Sequence, residues 1–106
     1  MGESTRALRL YVSGPMTGIV DFNYPAFESA CIALRASGYD VVSPHEVDPS
    51  LGGGWREYMR ADIALLVTCD AVATLDGHEN SKGAKLENHI AAELNMAIKP
   101  LAEWLT

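Results

Sequence analysis

Two acids stand out by position. Asp62 lies four residues after Tyr58 and four before Leu66, on the apolar stripe of a helical pattern rather than its solvated face. Glu87 does the same among Ala84, Ile90, Ala91 and Leu94. A carboxyl group facing inward must be paired, protonated or lining a cavity. Burial raises its pKa, and such groups are enriched at functional sites. An acid kept protonated can donate a proton, and an ionised one can attack carbon. The plainer reading puts each acid at the edge of its stripe, in water. Both acids beside one cluster of loops favour a site.

The residues before Glu87 add to this. Ser81-Lys82-Gly83-Ala84 opens the helix, with Ser81 placed to cap it and Gly83 allowing close approach to the backbone. Helix N-terminal amides bind anions, so a phosphate could rest at Ser81–Ala84, one turn above Glu87. An ordinary cap without a ligand is the commoner case. A second loop, Gly14-Pro15-Met16-Thr17-Gly18, follows a strand. It has neither the Gly-Lys-Ser/Thr ending of a P-loop nor a Gly-x-Gly-x-x-Gly fingerprint. Tyr11 could point its hydroxyl at the same crevice or be a core tyrosine. Asn23 reads as a helix cap or a ligand contact.

Other candidates are weaker. His45, His78 and His89 share no metal-ligand spacing, so no metal and no cofactor is assigned. Cys31 fits a helix core, Cys69 a helix-to-strand junction, and neither has a histidine placed to activate it. Asp70 serves the turn into a strand. Trp55 and Trp104 read as core or interface residues rather than base-stacking platforms. Arg60, Lys82 and Lys85 could supply local positive charge.

These residues need a scaffold. Leu8–Ser13 reads as a first strand, closed by Gly14-Pro15. A helix from Asn23 carries Phe27, Ala30, Cys31 and Leu34 at helical spacing and ends at Gly38. Tyr39–Ser43 is a second strand. Residues 44–54 form an irregular loop. A second helix runs from near Trp55 to about Leu66, with the stripe Trp55, Tyr58, Met59, Ile63 and Leu66. Ala71–Leu75 is a third strand, Asp76–Lys82 a polar loop, and a third helix runs from about Gly83 to Met96. Residues 97–106 hold a fourth short strand and a last helical turn. Alternating strands and helices predict an α/β fold: a small flavodoxin-like, Rossmann-like three-layer sandwich with a mostly parallel sheet of about four or five strands. Ligands in such sheets bind at the carboxyl ends of the strands. Here those ends are the loops after Ser13, Ser43 and Leu75.

Composition bounds the function. A chain of 106 residues is one domain, here taken as 1–106. Its apolar fraction of 48% is that of a globular protein. A net charge of -6 without a basic run argues against binding duplex nucleic acid by phosphate neutralisation. No apolar stretch approaches the roughly 18 residues of a membrane span. The N-terminus lacks a signal-peptide apolar core, and acylation at Gly2 has little to support it. Two cysteines without a framework fit a reduced, cytoplasmic setting. A domain this small buries a limited share of its surface, so a homodimer or higher oligomer is expected.

The sequence resembles the nucleoside 2-deoxyribosyltransferase superfamily. The matching residues are Tyr11-Val-Ser-Gly-Pro15, Asp62 with Cys69-Asp-Ala-Val72, and Ser81-Lys-Gly-Ala-Lys-Leu-Glu87 with Ala91. Tyr11–Gly18, Asn23–Phe27 and Trp104-Leu105 resemble a group of short phage and prophage proteins within it. The resemblance implies N-glycosidic chemistry on a nucleoside or nucleotide. It implies Glu87 as the nucleophile, Asp62 as the group managing the base and its proton, and Tyr11 as the residue orienting Glu87. It implies substrate contacts at Ser13, Gly14, Pro15, Met16, Gly18, Asn23, Ser81, Gly83 and Ala84. The transferases carry aspartate at the position of Ser81, whereas the branch hydrolysing deoxynucleoside 5'-monophosphates carries serine, which favours a nucleotide. The chain is shorter than those enzymes and its Asp76–Asn80 loop is built differently. The competing readings are a nucleotide-binding module that does not cleave its ligand, and a structural protein with an empty crevice.

Overall fold

The computed structural model describes residues 7–46 and 53–106. Most of the predicted 44–54 loop therefore lies outside the described residues. Among the described residues four strands form one sheet: β1 (Arg9–Ser13), β2 (Asp40–Val42), β3 (Ala71–Thr74) and β4 (Ala97–Pro100). Their order is β2-β1-β3-β4, and every pairing is parallel. Three helices connect them, α1 (Tyr24–Ala36), α2 (Trp55–Leu66) and α3 (Lys82–Glu93), and the short α4 (Leu101–Trp104) follows β4. The predicted alternation of strands and helices is thus present, with boundaries moved by a residue or a few. The connection reverses direction between β1 and β3, and a crevice opens at such a switch point.

Strand alternation sorts side chains to two faces. Leu10, Val12, Ala71 and Ala73 pack against Phe27, Ala30, Cys31 and Leu34 of α1 and against Trp104 of α4. Tyr11 and Val72 pack on the other face, against Leu66 and Ala91 from α2 and α3. The layers are therefore helix, sheet, helix. Trp104, expected in the core, is buried, and its indole N–H donates to the carbonyls of Val72 (3.0 Å) and Lys99 (3.2 Å). The Tyr39 hydroxyl donates to the carbonyl of Trp104 at 2.9 Å. Together these bonds tie the C-terminal turn to the sheet.

Helix ends explain the boundary shifts. Gly38 takes the left-handed conformation (φ 98°), and the N–H of Tyr39 turns back to the carbonyl of Leu34. The third helix, expected to reach Met96, stops at Glu93. Asn95 supplies the same left-handed turn (φ 60°), and the N–H of Met96 returns to the carbonyl of Ala91. Leu94, expected on the buried stripe, is exposed as a result. Asn23 also departs from expectation. It precedes α1 but makes no side-chain cap; its backbone is left-handed (φ 62°), as are those of Asp21 and Phe22. Its amide instead donates to the carbonyl of Pro15 at 3.0 Å.

Candidate active site

The alternation that puts Leu10 and Val12 on one face puts Tyr11 and Ser13 on the other, toward α3. There the Tyr11 hydroxyl donates to Glu87 Oε2 at 2.7 Å, and the Ser13 hydroxyl donates to Oε1 at 2.9 Å. Both carboxylate oxygens are thereby gripped from one strand. Glu87 is only 4% exposed. Burial pushes its pKa up to about 7, opposed by the two hydroxyl bonds and reinforced by Asp62. Tyr11 is held well above its ordinary value, by burial first and then by the charges of Glu87 and Asp62, so it stays a donor. Thr74 is in register with Ser13 and on the face of Val72, which adds a further buried hydroxyl at this sheet edge.

Asp62 comes from α2. It is 6% exposed, and its Oδ1 is buried with no hydrogen-bond partner among the described residues. Burial alone raises its carboxyl to about 7. Two acids on apolar stripes are therefore both buried, electrostatically coupled and partly protonated near neutrality. Between them the pair can hold one proton and one negative charge. That equips one member to donate a proton while the other attacks.

The first turn of α3 lies above Glu87. Ser81 caps the helix, accepting from the N–H of Ala84 at 3.2 Å, as its position predicts. Gly83 is closely packed: a Cβ there would lie 3.1 Å from Met59 Sδ and 3.6 Å from Trp55 Nε1. Ala84 is buried beneath this turn. On the opposite rim, Gly14 is buried against Leu75, where a Cβ would lie 2.8 Å from the Leu75 Cβ. Pro15 and Met16 are half-buried, and Gly18 is exposed. Pro15 reaches the other loop at Gly77, where a Cβ would lie 3.3 Å from its ring. The loops after β1 and β3 thus touch each other at the carboxyl edge of the sheet.

The structure brings Tyr11, Ser13, Asp62 and Glu87 together, with Ser81, Gly83 and Ala84 just above. Ser13, expected among the substrate contacts, is fully buried and gives its hydroxyl to Glu87. The spacing Tyr11-x-Ser13 carried that signal, since both side chains must share a face. Gly18 and Asn23 are not part of this cluster. Asn23 instead borders an open groove of about 600 Å³ with Ala30, Thr74, Asp76 and Leu101. A cleft of about 380 Å³ lies nearby, between Thr74, Asp76, His78 and Pro100. Neither is lined by Glu87 or Asp62, both of which are buried.

Three readings are refined. Of the core and interface places expected for Trp55, the core is ruled out: it is 42% exposed, and the Lys82 ammonium lies 4.1 Å from its ring centroid. Its place in the first turn of α2 puts it beyond the packed part of the stripe. Cys31, read as having no histidine placed to activate it, does lie near one, with donor atoms of His45 and Glu46 within 4.8 Å. These groups have protein partners: Ser43 Oγ lies 2.6 Å from His45 Nδ1, and Arg35 grips Glu46 at 3.0 Å. Burial pushes the Cys31 thiol up, so it is not an activated nucleophile. Asp70 does more than serve a turn, since its carboxylate accepts from the N–H of Arg9 at 2.8 Å and joins the starts of β1 and β3.

An all-parallel sheet in this order, with helices on both faces, is that of a flavodoxin-like α/β protein. The profile of a domain of unknown function, DUF4406, matches residues 8–100, and the chain belongs to that family. Among solved structures, a 2-desoxiribosyltransferase from Leishmania mexicana is similar, with a TM-score of 0.67 and 17% sequence identity. The match covers 86% of this chain and 61% of that one, so the chain spans less than two thirds of that protein's length. The likeness is one of fold, the fold the sequence resemblance implied. The comparison with curated proteins found no match. No helix among the described residues is long and apolar enough to cross a membrane.

Proposed function

We propose that this protein cleaves or transfers the N-glycosidic bond of a nucleoside 5'-monophosphate, deoxy or ribo, with Glu87 as nucleophile. The observation that carries the reading is the grip of Tyr11 and Ser13 on both oxygens of Glu87, with Asp62 coupled to it. A carboxylate held by two donors is fixed in orientation while its charge is kept available. In the reaction, a Glu87 oxygen bonds to the anomeric carbon as the bond from that carbon to the base nitrogen breaks. The electron pair leaves with the base, and Asp62 in its protonated form supplies the proton. Water, or a second base, then attacks the same carbon and releases Glu87, with net retention. The Ser81 hydroxyl, which accepts from Ala84, still has a proton to donate to a phosphate at the helix N-terminus. A homodimer in a reducing, cytoplasmic setting fits the exposed apolar side chains of Val20 (83%) and Phe22 (62%) and the two free cysteines.

The test is base release. Purified protein is incubated with a panel of deoxyribo- and ribonucleoside 5'-monophosphates, with and without an acceptor base, beside Glu87→Ala. Release that disappears in the variant supports the reading. Binding without release from any substrate overturns it in favour of a binding module that does not cleave.

A further inference from the structure

We infer that Trp55 and Lys82 together form the nucleotide-recognition element of this site, the indole receiving the base and the ammonium the phosphate. The inference deepens the proposed function and takes its ligand class from it. It begins with topology. Strands β2 and β3 are parallel neighbours of β1, so α2 and α3 both start at the carboxyl edge of the sheet and run the same way. Trp55 stands two turns above Asp62 on α2, and Lys82 stands more than one turn above Glu87 on α3. The pair therefore tops the column whose base is the two acids. Gly83 lets the helices close to contact there, its missing Cβ leaving room for Met59 and the Trp55 ring.

An exposed indole at the start of the helix that carries a buried acid is poorly explained as packing. The apolar stripe of α2 is buried at Met59 and Leu66, while Trp55 keeps 42% of its surface in water. What it touches is a cation, with Lys82 Nζ 4.1 Å from the ring centroid. Such exposed cation–π pairs are weak. A phosphate offers the ammonium a stronger, charge-assisted partner. A nucleobase offers the vacated indole a stacking partner of its own kind. Arrival of a nucleoside monophosphate thus exchanges one weak contact for two better ones. In a chain of net charge -6, it also places a cation where an anionic substrate needs one. Asp62, whose buried Oδ1 has no hydrogen-bond partner among the described residues, lies two turns further down the same helix.

The test measures binding to the Glu87→Gln protein, which keeps the ligand intact, by calorimetry and tryptophan emission. The probes are deoxynucleoside 5'-monophosphates, the matching nucleosides and inorganic phosphate. Lys82→Gln is expected to weaken the monophosphate by about tenfold or more while changing the nucleoside less than about twofold. Trp55→Ala is expected to weaken both by about tenfold, and Trp55→Phe to abolish the ligand-induced emission change while largely retaining affinity. Both side chains are exposed, so melting temperatures should stay close to the parent's. Equal weakening of nucleotide and nucleoside by Lys82→Gln, or unchanged affinities in Trp55→Ala, overturns the inference and leaves the pair as a helix clamp. Absence of any nucleotide binding overturns it together with the proposed function. Binding with these dependences but no base release by the parent protein sustains the inference and removes the catalytic reading. Glu87-dependent release with unchanged KM in both variants does the reverse.

Discussion

Tyr11 and Glu87 are 76 positions apart in the chain, yet the phenol donates to the carboxylate at 2.7 Å inside the closed core. The bond joins the central strand to the helix after β3, and it lowers a pKa that burial raises. It is also the bond most open to a clean deletion.

Tyr11→Phe removes the donor and keeps the ring. A hydrogen bond to a charged group contributes roughly 1.5–3 kcal/mol, about ten- to a hundredfold in rate if it is felt in the transition state. The base-release rate should fall by that order. Loss of the bond also removes an influence that holds the Glu87 pKa down. The acidic limb of the kcat/KM profile should therefore move to higher pH. A fall in rate with an unmoved limb would show that Tyr11 acts only through packing.

Stability should fall as pH rises through neutrality. Asp62 and Glu87 both have folded-state values near 7, above the ordinary 3.8 and 4.5 of the unfolded chain. Between those limits the folded state binds more protons than the unfolded state, so unfolding becomes easier with rising pH. Their contribution is complete below about pH 4 and lost above about pH 7. Glu46 works in the opposite sense: the bonds from Arg35 lower its pKa, and its stabilisation is lost in acid below its ordinary 4.5. Urea midpoints should be higher at pH 5 than at pH 8. Asp62→Asn should flatten that difference, and an equal or reversed difference in the parent would contradict the burial of the two acids.

Much of this arrangement was legible in the sequence because it rests on local rules. Gly14-Pro15, Gly38 and Pro44 punctuate the strands, and the stripes of α1 and α2 mark their buried faces. Asp62 and Glu87 stood out because they broke those stripes, and burial of both is what the stripes required. The residues misread were governed by contacts between distant segments or by position within a turn. Trp55 has a helical period but sits in the first turn, where the neighbouring layer ends. Asn95 ends α3 in a conformation usually left to glycine. His45 reaches Cys31 only because the chain turns after β2 to lie over α1. Ser13 was placed among ligand contacts by resemblance, although the strand period that aims Tyr11 at α3 aims Ser13 there too.

Gly14→Ala should destabilise the fold. The residue needs no unusual backbone, but an added Cβ would lie 2.8 Å from the Leu75 Cβ, itself fixed to a buried strand end. Overpacking of this kind typically costs about 1–3 kcal/mol. Gly83→Ala should cost less, because the nearest atom is the sulfur of a flexible methionine at 3.1 Å. Denaturant melts of the two variants would rank them, and a Gly14→Ala protein as stable as the parent would refute the close approach of β1 and β3 at this point.

Asn23 separates a tether from a backbone requirement. Its left-handed conformation follows two further left-handed residues, Asp21 and Phe22, and its amide holds the carbonyl of Pro15. Asn23→Gly keeps the conformation accessible and loses only the tether. Asn23→Ala loses the tether and adds the penalty of a Cβ in that region, so it should be less stable than the glycine variant by about 1 kcal/mol. Both variants should free the loop whose proline meets Gly77, and amide exchange at residues 14–18 should quicken in both. Equal stability of the two variants would mean that residue 23 is not held left-handed in solution.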